Sequence, residues 1–266
     1  MSSLFTTFLY QPLLNALVLL YQYLPGHDFG TAIIALTVLL RLALYPLSAQ
    51  ATRMQQKMAR LQPKVKEIQE RFKGRKDEQG RALYELYQKE RVNPFAGILP
   101  LLIQIPVLIA LYRLFWNGVA PDQLKGLLYS FVNVPDVINT SFFGILDLKG
   151  QSYSIAVLAG LFQFVQTKQT MNAQKKPADL ALSERSELKG PQKDKPDFSS
   201  MMQKQMLYLF PILTVSIVAK APSAVGLYWI ATSIFSIWQQ WHITKQMTSP
   251  ALPRQSSGLG RAGKIQ

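Results

Sequence analysis

The sequence predicts an all-α integral membrane protein with five transmembrane helices, a cytoplasmic helical hairpin and an N-terminal interfacial helix. Three observations lead to this prediction. Apolar runs recur along the chain, basic residues are concentrated between them, and the 266 residues carry a formal net charge of +14. A soluble domain of this length would disperse its charges more evenly. Segregated charge therefore favours a membrane protein.

The N-terminal segment, residues 1–28, is predicted to form an external amphipathic helix in the membrane interface. Its polar residues share one helical face and are Thr7, Gln11, Asn15 and Gln22. A signal peptide and a sixth span are the alternatives. The first basic residue is Arg41, whereas a signal peptide normally begins with a basic region. The short link Pro25–Phe29 would make a very tight turn between two spans.

Five apolar runs follow, and a spanning helix needs roughly 20 mainly apolar residues. The runs predict spans over about residues 29–50, 93–116, 151–168, 205–220 and 222–244, within a core of residues 29–244. The last two belong to one stretch whose only formal charge is Lys220. Pro222 and Ser223 favour a turn beside it. The runs are apolar around the whole helix, which disfavours the alternative of soluble core helices.

Basic residues alternate between rich and poor loops, as the positive-inside rule requires. Residues 53–91 hold 12 basic residues, residues 168–204 hold 8 and the tail 245–266 holds 4, so these segments carry 24 of the 29. They are predicted to be cytoplasmic, which places the N-terminus outside and the C-terminus in the cytoplasm. The loop 169–204 is rich in Lys, Pro, Asp and Ser, and we expect it to be disordered.

The cytoplasmic segment 53–91 is predicted to form two antiparallel helices. Apolar residues recur there at helical spacing, and Gly74 and Gly80 bracket a polar turn. Pro63 is expected to kink or break the first helix. Two interpretations stay open: a basic hairpin that only fixes topology, and a docking surface for an anionic partner such as lipid headgroups or a ribosome.

Arg41 is the candidate functional residue, because a cation inside a span costs about 2.5 kcal/mol or more. No Asp or Glu occurs in the five predicted spans, so its candidate partners are neutral. They are Thr37, Gln104, Gln163 and Gln166. A cation with neutral partners implies a hydrated cavity that would attract acidic groups from outside the protein. The alternative is that Arg41 snorkels to the cytoplasmic interface.

Several kinds of chemistry are disfavoured by residue content. The chain has no Cys, which excludes disulfides, thiolate nucleophiles and Cys-ligated metals. Its two His residues lie far apart in sequence, and no phosphate-binding G-x-x-x-x-G-K-[ST] motif is present. We therefore expect neither an enzyme nor a cofactor or metal site. A transporter or channel is the alternative function, although no repeat relates the two halves of the chain.

Short motifs across the chain resemble one known family. They are FGT at 29–31 with RLALYPL at 41–47, LQPK at 61–64, VNPF at 92–95 with LPLLIQIP at 99–106 and ALY at 110–112, and FP at 210–211 with PS at 222–223 and GLYW at 226–229. In this order they resemble the core spans and hairpin of the YidC/Oxa1/Alb3 family of membrane protein insertases. A large external domain before the core and a lipoprotein Cys, which many relatives have, are not found in this sequence.

The resemblance implies a multi-pass insertase and chaperone of the bacterial plasma (inner) membrane. Family members receive hydrophobic segments of nascent proteins in a polar groove, closed on the outside, and release them into the bilayer. The family motifs match groove positions to Arg41, Thr37, Gln166, Tyr228 and Trp229. Nascent membrane proteins and lipid are the implied partners. The ribosome and the Sec translocon are candidate partners of the hairpin and tail, and no nucleic-acid specificity is expected.

Overall fold

The computed structural model of the chain describes residues 3–93, 99–116, 124, 126–135, 137–186 and 198–248. Helices dominate these ranges, which confirms the predicted helical class. The helices are α1 (Ser3–Phe5), α2 (Gln11–Tyr23), α3 (Phe29–Ala43), α4 (Tyr45–Arg71), α5 (Lys76–Lys89), α6 (Leu99–Trp116), α7 (Tyr153–Ser186), α8 (Phe198–Val218) and α9 (Ser223–Thr248). A π-helical turn, Thr6–Tyr10, joins α1 to α2, and a short antiparallel hairpin pairs β1 (Ser141–Phe142) with β2 (Leu146–Asp147).

The helix α2 is held to the loop that follows α6 by its polar side chains. Asn15 is buried, its amide group donates to the Leu127 carbonyl at 3.1 Å, and its side-chain oxygen accepts from the Tyr129 N–H at 2.7 Å. Gln22 donates in the same way to the Asn133 carbonyl at 2.7 Å. Two of the residues that predicted a polar helix face therefore satisfy backbone groups of the loop, which would otherwise lack partners.

The first predicted span is a bent pair of helices, α3 and α4, that meet at an angle of 62°. The break falls at Leu44, two residues before Pro46. A proline lacks the N–H of the helical ladder and disfavours helical geometry in the residue before it. Pro63 lies inside α4, which continues through it to Arg71. The expectation of a break at Pro63 is therefore wrong, and the break occurs earlier in the chain.

The helices α4 and α5 are joined by the turn Phe72–Arg75, where Gly74 has a φ of +86°. An ion pair of 2.6 Å between Lys64 and Glu90 links the two helices. Gly80 lies within α5 and not beside the turn.

The expectation of disorder between residues 168 and 204 is wrong for most of that segment. The helix α7 continues to Ser186 and α8 begins at Phe198. Residues 187–197 lie outside the described ranges, as do residues 249–266 of the basic tail.

The C-terminal helices pack closely through glycines. The helix α9 packs on α3 and α7, and α7 also packs on α8 and α4. A Cβ at Gly160 would collide with Val215 of α8, and a Cβ at Gly226 would collide with Ile155 of α7 and Val218 of α8. Small residues at such positions let helix backbones approach each other, as in packed membrane helices.

The length and apolar character of the described helices identify one candidate for a membrane span. Within the described residues, no single helix is both long and apolar enough to cross a bilayer, whereas the bent pair α3–α4 meets that requirement. Two shorter apolar helical stretches, Gln104–Phe115 and Leu207–Val218, also occur.

Candidate functional site

Arg41 lies in the last turn of α3, just before the break at Leu44. Its side chain lines a cavity formed where α3, α4, α6 and α9 meet. The cavity has a volume of about 30 Å³, whereas a single water needs roughly 10–15 Å³ on the same measure. The lining residues are Thr37, Leu40, Arg41, Leu44, Leu47, Ser48, Ala51, Gln104, Val107 and Tyr228.

A chain of hydrogen bonds fixes the guanidinium of Arg41. Its Nη2 donates to Oε1 of Gln104 at 2.8 Å, and Nε2 of Gln104 donates to the hydroxyl of Tyr228. The three residues belong to α3, α6 and α9, which are remote from one another in sequence. A hydrogen bond to a charged group contributes about 1.5–3 kcal/mol, so Gln104 holds the cation in place and joins three helices.

The charge of Arg41 lacks a carboxylate partner within the cavity. Among the described residues that line it, none is Asp or Glu. A cation in a low-dielectric site needs hydration or a counterion. The cavity beside Arg41 is large enough for about two waters, which could hydrate the guanidinium. The half-buried side chain reaches the cavity, where Gln104 accepts its hydrogen bond.

Thr37 lines the cavity but takes no part in the hydrogen-bond chain. It is buried, and its hydroxyl donates to the Ile33 carbonyl at 2.6 Å, one turn earlier in α3. The hydroxyl oxygen can still accept a hydrogen bond, since a threonine hydroxyl has two lone pairs.

Two other predicted site residues form a second, separate pair. Nε1 of Trp229 donates to Oε1 of Gln163 at 2.9 Å, which links α9 to α7. Trp229 lies one residue after Tyr228, and consecutive helical residues point in different directions. Gln163 also donates to the Thr167 hydroxyl at 3.3 Å. Gln166 is half-buried, and neither it nor this pair lines the Arg41 cavity.

Comparison with known proteins identifies the family. Residues 19–250 match the model of the family described as 60Kd inner membrane protein. The chain belongs to that family. It is similar to two proteins named membrane protein insertase YidC. The one from Geobacter metallireducens is 30% identical over 241 residues, 90% of this chain and 37% of that protein. The one from Francisella tularensis subsp. novicida is 33% identical over 218 residues, 82% of this chain and 33% of that protein.

These matches confirm the resemblance to the YidC/Oxa1/Alb3 family and make the chain a member of an inner membrane protein family. The chain spans about a third of the length of the curated relatives it matches.

In this YidC/Oxa1/Alb3 family member, two polar residues that the sequence did not single out lie at the cavity or bond to a residue that lines it. Ser48 lines the cavity from the first turn of α4. Gln239 of α9 is buried and donates to the Ser48 hydroxyl at 2.7 Å and to the Tyr45 carbonyl at 3.4 Å. The two acceptor groups, on Tyr45 and Ser48, lie in the first turn of α4, after the break at Leu44. A polar residue within the last apolar run was the signal that could have identified Gln239.

Proposed function

We propose that the chain is a membrane protein insertase that receives hydrophobic segments of nascent proteins and releases them into the bilayer. The observation that carries the proposal is the guanidinium of Arg41, which is held in a water-sized cavity without a carboxylate partner among the described lining residues. Such a cation attracts an acidic or polar group from outside the protein. The names of the relatives that match 82–90% of this chain support the same function.

The size of the cavity constrains the route of a client. A helical segment with its side chains is about 10–12 Å wide and cannot enter a volume of about 30 Å³. The client therefore lies alongside the helices, and only a polar group reaches Arg41. Large apolar side chains are exposed on α3 and α6, the helices that carry Arg41 and Gln104, and a client can lie against them. They are Val38, Leu39, Leu42, Ile105, Ile109 and Tyr112.

Hydrophobic partition drives the release step, so no nucleotide is required. The cavity and the charge of Arg41 lower the cost of carrying a polar flank part-way across the bilayer. An unsolvated charge there is costly. The apolar part of the client leaves water when it reaches the exposed faces of α3 and α6, which contributes about 25 cal/mol per Å² of apolar surface, and it then moves from these faces into lipid.

The proposed topology has five spans, with the N-terminus outside and the C-terminus in the cytoplasm. The bent pair α3–α4 provides the first span, and α6, α7, α8 and α9 provide the others. The helices α4 and α5 extend into the cytoplasm, where exposed basic residues are available to the ribosome or the Sec translocon. The excess of basic residues in the cytoplasmic segments supports this orientation.

Reconstitution of the purified chain in liposomes with a small single-span substrate tests the proposal. Protease protection of the substrate should exceed that in empty liposomes. Insertion no greater than in empty liposomes would contradict the proposed function, and ion flux through the liposomes would instead favour a channel or transporter.

Variants of Arg41 test the site itself in the same assay. Arg41→Ala should reduce insertion, and Arg41→Lys should retain more of it because positive charge is the requirement. Arg53→Ala is the matched control, since Arg53 is exposed on α4 outside the cavity. Equal losses for the variants at Arg41 and Arg53 would contradict a role for the cavity.

A further inference from the structure

The short β-hairpin presents an apolar tip to its surroundings. Its strands pair Phe142 with Leu146, so that Phe143, Gly144 and Ile145 form the connecting loop. We call residues 143–145 the hairpin tip. Phe143 is 68% exposed and Ile145 is 90% exposed. Contiguous exposed apolar patches mark sites of contact with proteins or membranes.

The backbone of the hairpin tip is that of a tight turn, but its residues are not those of a turn in water. Phe143 has a φ of +50° and Gly144 a φ of +70°. Asn, Asp and Gly usually occupy such positions, and a bulky residue there carries a steric cost. A Phe at the first position presents an aromatic ring at the end of the hairpin in spite of that cost.

Hydrogen bonds fix the depth of the hairpin at the start of α3. The N–H of Phe143 donates to Oδ2 of Asp28 at 2.6 Å. Asp28 is also the N-cap of α3, since its Oδ1 accepts from the Thr31 N–H at 2.8 Å. The hairpin tip therefore lies at the level at which α3 begins.

The other end of the hairpin is fixed at the start of α9. The N–H of Ala224 donates to the Leu148 carbonyl at 3.1 Å, and the N–H of Ser223 donates to the Gly150 carbonyl at 2.8 Å. The hydroxyl of Ser223 donates to the same Gly150 carbonyl at 2.7 Å. The hairpin is thus attached to the first turns of two helices that we assign to the membrane, which is the level of the lipid headgroups.

We propose that the hairpin tip inserts Phe143 and Ile145 into the boundary between headgroups and acyl chains, on the membrane side where α3 and α9 begin. Lipid is the occupant because the tip is uncharged, lies at headgroup depth and is attached to spanning helices. Within residues 137–149 the charged residues are Asp147 and Lys149, which follow the tip, and the carboxylate of Asp28 bonds to the backbone of the tip. Two apolar residues of the preceding loop, Phe131 and Val137, are also exposed.

This inference rests on the proposed membrane placement of α3 and α9. One experiment tests the inference and the placement of α3 by separate labels. Because the chain has no Cys, single Cys variants can carry a nitroxide label without further changes. Ile145→Cys reports the tip and Lys149→Cys is the matched control in the same segment. Leu39→Cys, at a position 52% exposed on α3, reports the bilayer interior, and Lys76→Cys reports water.

The readout is the accessibility of each label to oxygen relative to a water-soluble nickel chelate, in proteoliposomes of the full chain. We expect the ratio at Ile145 to be several-fold above that at Lys149 and Lys76 and to approach that at Leu39. A ratio at Ile145 equal to that at Lys76, or no higher than that at Lys149, would overturn the inference.

A water-like ratio at Leu39 would overturn the membrane placement of α3 as well, which distinguishes the two failures. The exposure of Ile145 makes its replacement compatible with folding. A second label at Phe143 gives an independent measurement, and a water-like ratio at either position would overturn the proposal.

Discussion

Replacement of Asp28 by Ala should destabilise the protein more than any change at an exposed carboxylate. Asp28 is only 9% exposed, and its two oxygens accept from the N–H groups of Thr31 at 2.8 Å and Phe143 at 2.6 Å. Loss of an N-cap costs about 1 kcal/mol. The N–H of Phe143 also loses its partly buried hydrogen bond to a carboxylate, and a hydrogen bond to a charged group contributes about 1.5–3 kcal/mol. The expected loss is therefore about 2–4 kcal/mol in the free energy of unfolding.

The measurement is equilibrium unfolding of the full chain in mixed micelles, followed by circular dichroism as the denaturing detergent fraction rises. Asp28→Asn should lower the free energy of unfolding by about half as much as Asp28→Ala, because the amide keeps one acceptor oxygen. Asp147→Ala is the matched control, since Asp147 is an exposed carboxylate in the same hairpin and should change stability by less than about 0.5 kcal/mol. If the Asp28→Ala and Asp147→Ala variants unfold at the same fraction of denaturing detergent, the two hydrogen bonds of Asp28 do not hold the hairpin to α3.

Three further changes test other contacts. Gly226→Val should destabilise the protein by about 1–3 kcal/mol through overpacking of α9 against α7 and α8, measured by the same unfolding titration. Gln239→Ala and Ser48→Ala should show a coupling energy of about 1 kcal/mol in a double-mutant cycle, because they share one hydrogen bond. Lys64 lowers the pKa of Glu90 through a hydrogen bond and its charge. Their contact should therefore be complete above about pH 4.3, the ordinary Glu pKa, and be lost as the pH falls through the lowered value. Distances between spin labels on α4 and α5 report this loss.

Each of these changes has its own control. Gly80→Ala should stabilise α5 slightly, because a Cβ there meets no atom within 4 Å and Ala is the better helix former. A coupling near zero between Gln239 and Ser48 would contradict their role at the bend. Glu90→Gln should abolish the acid-dependent change in distance, and persistence of that change would assign it to another group.

The sequence predicted the helices and selected Arg41 as a candidate, but it could not choose among neutral partners for that residue. Thr37, Gln104, Gln163 and Gln166 are all polar residues within apolar runs. The choice of Gln104 depends on how α6 is rotated against α3, which helical spacing within one run does not encode. Gln163 pairs instead with Trp229.

The remaining errors have a common physical origin. Pro63 lies inside α4 without ending it, whereas the helix breaks at Leu44, two residues before Pro46. Proline therefore has different effects at two positions of the same chain. Polarity also misled the expectation for Asn15, since a polar residue on a helix can bond to buried loop backbone as well as to water. Residues 168–186 are helical although their composition is typical of a flexible loop.

The amide of Gln104 can join three helices without using all the hydrogen-bond donors of Arg41. Its oxygen accepts from Arg41 of α3 while its nitrogen donates to Tyr228 of α9. The guanidinium of Arg41 offers five N–H donors, and Gln104 accepts from one of its nitrogens. Under the proposed function, an incoming carboxylate would therefore bind the remaining donors while Gln104 keeps its contacts with Arg41 and Tyr228. The helices α3, α6 and α9 would stay joined whether the cavity is empty or occupied.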